Sequence, residues 1–303
     1  MSNVLVIGGT GFLGSAIVRE LARRPASADF CFTLPTRREA GAKHLTVLPT
    51  ARVIEADVHD PATLARLMAG QDAVISLVGV LKGGEGEPYG RGFARAHVEL
   101  PRKIAAAARA AGVRRVLHVS ALKAAADAPS GYLRSKADGE AALTATDLDL
   151  TIFRPSVIFG RGDSFLTLFA RMAKIAPFFP LAGATARFQP VWVEDVAAAV
   201  ADGLGNAKSI GATYDLCGPK QYALADLVRY ASAAAGHPRA VIGLPEPIAW
   251  LQAWAMEFIP NGPMTRDNVR SMRVPSVCES GCGLPFGRVA TALEVIAPTY
   301  LRA

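Results

Sequence analysis

Two rhythms of hydrophobic and polar positions alternate along the first half of the chain. Val4–Ile7 is a short β-branched apolar run that ends in glycines, and from Phe12 to Arg24 apolar residues recur at helical spacing. The exchange then repeats. Phe30–Thr36 and Arg52–Asp57 predict strands, and Pro61–Met68 a helix with proline in its first turn. Ala73–Leu77 predicts a strand. Phe93–Ala111 predicts a long helix, kinked at Pro101 and closed by Gly112. Arg115–Ser120, Tyr132–Ala145 and Leu150–Arg154 continue as strand, helix, strand. Such alternation requires crossover connections, so the expected class is α/β with a doubly wound parallel sheet.

After Pro155 the regularity weakens. Ser164–Ala176 reads as a helix. A proline-rich stretch leads to a short extended piece and a helix from Glu194, and Thr213–Leu216 reads as a strand returning to the main sheet. Helices follow at Leu224–Ala235, Pro247–Phe258 and Thr265–Met272. The expected organisation is a dinucleotide-binding domain at 1–160, with 190–217 returning to it, and a smaller, mostly helical C-terminal lobe at 161–303. That lobe would lie over the C-terminal strand ends, where ligands bind in such sheets. Within it, "PEPIAWLQAWAMEFIP" carries Trp250, Leu251, Trp254 and Phe258 at helical spacing. A buried core face is the favoured reading. A helix lying at a membrane interface is the alternative, although the stretch has no Lys or Arg of its own.

Composition narrows the function. The 303 residues are 51% hydrophobic and carry a net charge of +7, enough for a large core and suited to an anionic small ligand. The basic residues are scattered, with no stripe and no interleaved aromatics, so nucleic acid is not an expected partner. No run reaches the roughly 18 apolar residues of a membrane span. The apolar start lacks the basic region and cleavage site of a signal peptide. Cys31, Cys217, Cys278 and Cys282 are expected to be free thiols in a reducing, cytoplasmic setting, because "CESGC" lacks the further ligands that zinc needs. No metal site is expected.

The chemistry begins at Gly8-Gly9-Thr10-Gly11-Phe12-Leu13-Gly14. Glycines at this spacing follow a strand and open a helix, the context of a phosphate-binding turn. Gly8 makes the turn, Gly11 admits a pyrophosphate, and Gly14 lets the helix pack against the sheet. The expected fold is thus a Rossmann sheet. About 20 residues on, an acid normally holds the ribose 2′-hydroxyl. Here Thr36 stands there, followed by Arg37 and Arg38. Two guanidiniums suit a 2′-phosphate, so the expected cofactor is NADP(H). Asp57 and Val58 end the third strand, where adenine would lie, though Asp57 could equally cap the helix at Pro61. Val78 and Gly79 follow the fourth strand, beside the cofactor's ribose.

In "SGYLRSKADGE", Tyr132 and Lys136 are four apart and share a helix face. Together with the glycine turn, Asp57, "HVSAL" and "FRPSVIFGRGDSF", this pair resembles the short-chain dehydrogenase/reductases, in their extended or atypical branch. "RPSVIFGRGDSFL", "MTRDNVRSM" and the closing "ALEVIAPTYL" are more narrowly similar to the Rossmann-type NADPH-binding accessory subunits of respiratory complex I and their bacterial relatives. The resemblance implies Tyr132 as general acid/base, Lys136 on the nicotinamide ribose and favouring the phenolate, and Ser120 orienting a substrate oxygen. Pro155 and Val157 would lie near the nicotinamide. The family's tetrad also has an asparagine in the long fourth helix, yet no asparagine occurs between Asn3 and Asn206. His97 stands near that place and is the available substitute. The implied function is an NADP-dependent oxidoreductase of an unknown small-molecule substrate. The alternatives are a non-catalytic NADPH-binding protein of a larger complex or membrane surface, on the inner face of a membrane, and an NAD-dependent sugar-nucleotide epimerase.

Overall fold

A computed structural model describes residues 2–24, 30–259, 262–279 and 283–302. Seven parallel strands form the main sheet: β1 (Ser2–Ile7), β2 (Phe30–Thr36), β3 (Ala51–Glu55), β4 (Ala73–Ser76), β5 (Arg115–Val119), β6 (Asp149–Pro155) and β11 (Thr213–Leu216). Their spatial order is β11-β6-β5-β4-β1-β2-β3. The order reverses between β1 and β4, which opens a crevice at their C-terminal ends. The doubly wound Rossmann sheet expected from the sequence is present.

Both faces of the sheet are covered, and alternation along each strand sorts the core. Val4 and Val6 pack with Leu117, Val119 and Phe153 against α1 (Phe12–Arg23) and α7 (Val193–Gly205). Leu5 and Ile7 pack on the opposite side with α2 (Pro61–Met68), α4 (Leu100–Ala111) and Leu143 of α5 (Gly131–Thr144). The side chains of this core are fully buried on both faces, as parallel sheets require.

The helix before β5 departs from expectation. It runs as α3 (Arg91–Phe93), a π-helical segment Ala94–Glu99, and then α4. The sequence places a kink at Pro101, and the helix runs unbroken through that residue, so His97 O, four residues earlier, has no N–H of Pro101 to bond. The irregularity lies earlier, at His97, in the wider π turn. There His97 presents its carbonyl to α5. A Cβ on Gly139 would lie 2.0 Å from His97 O, so only glycine permits this approach. Gly112 closes α4 in the left-handed conformation, φ 74°.

Three small two-stranded units lie beyond β6; of their strands the sequence reading anticipated only the short extended piece before the helix at Glu194. β7 (Ile158–Phe159) pairs with β10 (Val191–Trp192), β8 (Phe178–Leu181) with β13 (Ala240–Gly243), and β9 (Arg187–Phe188) with β12 (Tyr222–Ala223). Helices α6 (Leu166–Ala173), α8 (Leu224–Ala234), α9 (Glu246–Glu257), α10 (Arg266–Ser271), α11 (Leu293–Ile296) and α12 (Pro298–Leu301) complete the chain. Among the described residues, no helix is long and apolar enough to cross a membrane.

Cys217 and Cys278 are joined as a disulfide, which corrects the expectation of free thiols for this pair. The physical reason is tertiary. The chain after α10 returns alongside the end of β11, where Gln189 accepts a bond from Cys278 N and Ser276 O accepts one from Ser156 Oγ. Cys31 is free, and Cys282 lies outside the described residues.

The close approach at Gly139 generates a stability test. Gly139→Ala is expected to destabilise the fold by about 1–3 kcal/mol through overpacking, read by denaturant unfolding. An unchanged midpoint would mean the π turn moves aside freely.

Candidate active site

The crevice begins at the glycine turn. Gly11 caps α1 without any side-chain cap bond, so the opening amides of that helix have no side chain set against them. A Cβ on Gly14 would lie 2.3 Å from Gly8 O, so α1 can seat against the turn only because position 14 is glycine. Thr10 Oγ1 lies 3.5 Å from Thr36 Oγ1, joining the turn to the end of β2. Thr36 Oγ1 in turn accepts from Arg38 N at 3.4 Å and donates to Arg38 O, fixing the bend that carries Arg37 and Arg38. Both arginines are exposed, and neither makes an ion pair among the described residues. Phe12 instead reaches toward Gly160 and Val193, and Leu13 joins the α1 side of the core.

The rim residues divide. Asp57 is not the cap of α2: Asp60 is, accepting from Thr63 N at 2.8 Å. Asp57 accepts from His59 N and faces Arg95 at 3.8 Å, leaving it exposed at the end of β3. Val58 and Val78 are half-buried against the α2–α4 side of the core. Gly79 is exposed, and its open flank receives Lys136: a Cβ there would lie 3.3 Å from Lys136 Nζ. Pro155 O accepts from Leu122 N, and Val157 O from Val191 N, so both are held by backbone bonds at the end of β6.

Helix α5 carries Tyr132 and Lys136 and is pinned at its start. Ser130 Oγ accepts from Leu133 N at 3.2 Å. Asp267, from α10, accepts from Gly131 N at 2.7 Å and Tyr132 N at 3.0 Å. A carboxylate at this end of a helix is favoured both by hydrogen bonding and by the helix dipole. Arg270 braces the arrangement, 3.8 Å from Asp267, while bonding both carboxylate oxygens of Glu85. Sequence reading missed Asp267. Its one signal was "TRDN", quoted for resemblance, and the contact spans 136 residues.

Lys136 is 4% exposed and donates to Val119 O at 3.3 Å. Burial pulls its pKa down to about 8, with Glu140 pulling the other way. Glu140 is itself buried and paired with Arg154. One residue beyond Val119, Ser120 is buried with no partner for its hydroxyl. The Tyr132 ring is half-buried, edge-on to His97 at 5.5 Å and Phe93 at 6.0 Å. Burial pushes its phenol up to about 12.

His97 stands where the sequence placed it, but its bonds are taken. Val80 N donates to Nε2 at 2.9 Å, and Nδ1 lies 2.9 Å from Ser135 Oγ, whose hydroxyl donates to Tyr132 O. The ring is therefore the neutral Nδ1–H tautomer. Burial, then the nearby Lys136 and His118, drive its pKa to about 2. Its bonds hold the start of Tyr132's helix, and Nε2, filled by Val80 N–H, has no lone pair left for Lys136. His118, on β5, is also buried and held neutral, by burial first and Lys136 second, with neither ring nitrogen bonded.

With this geometry in place, the comparisons are informative. A family model described as NAD(P)H-binding matches residues 8–174. The mouse mitochondrial NADH dehydrogenase [ubiquinone] 1 alpha subcomplex subunit 9 is 31% identical over 98% of this chain and 79% of its own length. The rat counterpart is 36% identical over 74% of this chain, which spans only 59% of that relative. A ceramide reductase of Caulobacter vibrioides is 35% identical over 64% of this chain and 58% of its own length. An NADPH-dependent quinone oxidoreductase of Escherichia coli, solved with NADPH, superposes with a TM-score of 0.76 over 99% of this chain and 100% of that one. At 22% identity that likeness is one of fold.

Lys136 yields a pH test. Its folded pKa, about 8, lies below its ordinary 10.5. Between those values the unfolded chain holds a proton the folded chain lacks, so this residue's contribution to stability rises with pH across that window. Unfolding free energies of the wild type and Lys136→Met are expected to converge from pH 8 to 10, by no more than about 1.4 kcal/mol per pH unit. A constant difference would mean the ammonium is not desolvated.

Proposed function

The chain belongs to the NAD(P)H-binding family, and on that premise we propose that it is an NADPH-dependent reductase of a carbonyl group with Tyr132 as proton donor. One juxtaposition carries the reading. Lys136 is buried at Gly79 and grips Val119 O, Tyr132 is one turn away on the same helix face, and the adjoining Ser120 hydroxyl is unpaired. A buried hydroxyl without a partner is costly in a structural role and useful in a substrate-binding one.

The residues fit the cofactor. The uncapped start of α1 and the close-packed Gly14 make a phosphate cradle, with Thr10, Gly11, Phe12 and Leu13 around it. Arg37 and Arg38 are available for a 2′-phosphate, Asp57 and Val58 for the adenosine end, and Val78, Gly79 and Lys136 for the nicotinamide ribose. Pro155 and Val157 would border the nicotinamide. When bound, NADPH supplies the hydride. The chain's own groups do the rest. Ser120 donates a hydrogen bond to the substrate oxygen, and Tyr132 delivers its phenolic proton as charge grows there. Lys136, charged, offsets the cost of the resulting phenolate. The relative named ceramide reductase directs the proposal to a carbonyl on a lipid-sized molecule.

A second reading, a cofactor-binding accessory protein like the subunit relatives, is favoured by one observation. His97, near the place the resemblance gives the asparagine, has both ring nitrogens bonded, so it would not support a proton return through that residue.

Calorimetry with NADPH and NADH tests the cofactor. NADPH is expected to bind more tightly, and Arg37→Ala to weaken it by about 1.5–3 kcal/mol while leaving NADH nearly unchanged. Equal affinities would reject the 2′-phosphate site.

Tyr132 and Lys136 are expected to separate. Lys136→Ala weakens NADPH binding, because its donors reach the ribose whether or not chemistry follows. Tyr132→Phe leaves binding intact and cuts NADPH oxidation by carbonyl substrates about 10²–10⁴-fold. Tight NADPH binding with no oxidation by any carbonyl or quinone would move the accessory reading to the front.

A further inference from the structure

Helix α9 is inverted relative to an ordinary surface helix. Its buried positions are the small Ala249 and Ala253, while its large apolar side chains face outward. Ile248 is 50%, Leu251 62%, Trp254 46% and Phe258 72% exposed. The core face favoured by the sequence pattern is thus not where these side chains go.

Exposed apolar side chains also occur on the β8–β13 ribbon, which α9 touches, and at the end of α6. Gln252 Nε2 donates to Pro180 O at 2.9 Å, holding α9 against β8. In the β8–β13 pair, Ala240 lies opposite Phe178 and Ile242 opposite Pro180. Phe179 and Leu181 point into the lobe, whereas Phe178 and Ile242 are about half exposed. A two-stranded ribbon normally turns polar residues outward; this one is apolar on both sides. Ile175, at the end of α6, is 86% exposed. Seven large exposed apolar side chains therefore belong to three adjoining elements. Scattered exposed apolar residues need no explanation, but a contiguous patch does.

Charge decides what fits it. Both acids of α9 are neutralised, Glu246 by Arg273 and Glu257 by Arg266. Arg171 of α6 is exposed and has no acid within Leu166–Pro180. Arg239 donates to Ala173 O at 2.9 Å, bringing a second cation to the same edge. An aromatic and aliphatic surface with paired acids and a cationic margin matches the boundary between headgroups and acyl chains in an anionic bilayer. We propose that α9 and the β8–β13 ribbon dock this protein onto the surface of a membrane containing anionic phospholipid. The inference does not rest on the reductase reading, and NADPH binding is measured separately from it.

The test is flotation of the full chain with vesicles of phosphatidylcholine alone, or with about a quarter phosphatidylglycerol. The expected result is flotation with the anionic vesicles and a blue shift of tryptophan emission that Trp254→Phe largely removes. The double variant Leu251→Glu, Phe258→Glu is expected to partition at least about tenfold less. Arg171→Glu, on α6 and not on the apolar helix, is expected to weaken binding to anionic vesicles alone, by about fivefold. NADPH titration of each variant serves as the fold control. Absence of flotation by the wild type, or unchanged flotation of the double variant, overturns the proposal. So does concentration-dependent self-association that the double variant abolishes, since a second copy would then be what covers this face.

Discussion

The arrangement depends on one expensive act, the burial of the Lys136 ammonium. An amine taken from water resists its charge, and the drop of its pKa to about 8 measures that resistance. Everything around it is shaped to tolerate it. Position 79 is glycine, leaving room for Nζ. The carbonyl of Val119 takes one of its protons. Two histidines nearby are held neutral, partly by Lys136 itself, so no second cation competes in the same low-dielectric volume. Glu140, one turn further along α5, is committed to Arg154 and so supplies only partial compensation. A purely structural site would have little reason to keep a long amine here.

The helix that carries the amine is fixed at both ends of its contact surface. The π turn brings His97 O against Gly139, and Asp267 holds the first two amides of α5 from the far lobe. The second contact is the more consequential. It makes the placement of Tyr132 depend on residues 136 positions later in the chain, and Arg270 extends the dependence to Glu85 and to the Trp250 ring, over which it lies at 5.1 Å. Packing of the C-terminal lobe and alignment of the phenol are therefore one problem, solved by one short capped helix.

What was legible in the sequence was local. The glycine turn, the strand–helix alternation and the four-residue spacing of Tyr132 and Lys136 are set by backbone geometry within a few residues, and each lies where the pattern put it. Pro101 marked the helix before β5 as irregular, but the form of the irregularity, a π turn ending just before the proline, is not specified by the proline's position. Asp267, the Cys217–Cys278 pair and the three small strand pairs are tertiary contacts, for which neither spacing nor composition carries a signal. For α9, helical spacing marked Trp250, Leu251, Trp254 and Phe258 as one apolar face but could not say whether it turns inward. Only the packing of Ala249 and Ala253 reveals which side is inward.

His97 shows how such a site can retain binding and alter proton supply. A neutral imidazole packs edge-on to Tyr132, and its bond to Ser135 helps hold the start of α5. Yet with Nε2 filled by Val80 N–H, the ring has no lone pair to offer Lys136. On the proposed reductase reading, a phenolate at Tyr132 would regain its proton through Lys136 and the open side of the crevice at Gly79. Lys136 is suited to this, because an amine with a pKa near 8 is partly neutral at ordinary pH and exchanges protons readily. On the same reading the cofactor would be held by the glycine cradle, the two arginines and the amine, while His97 acts on the amine only through its field.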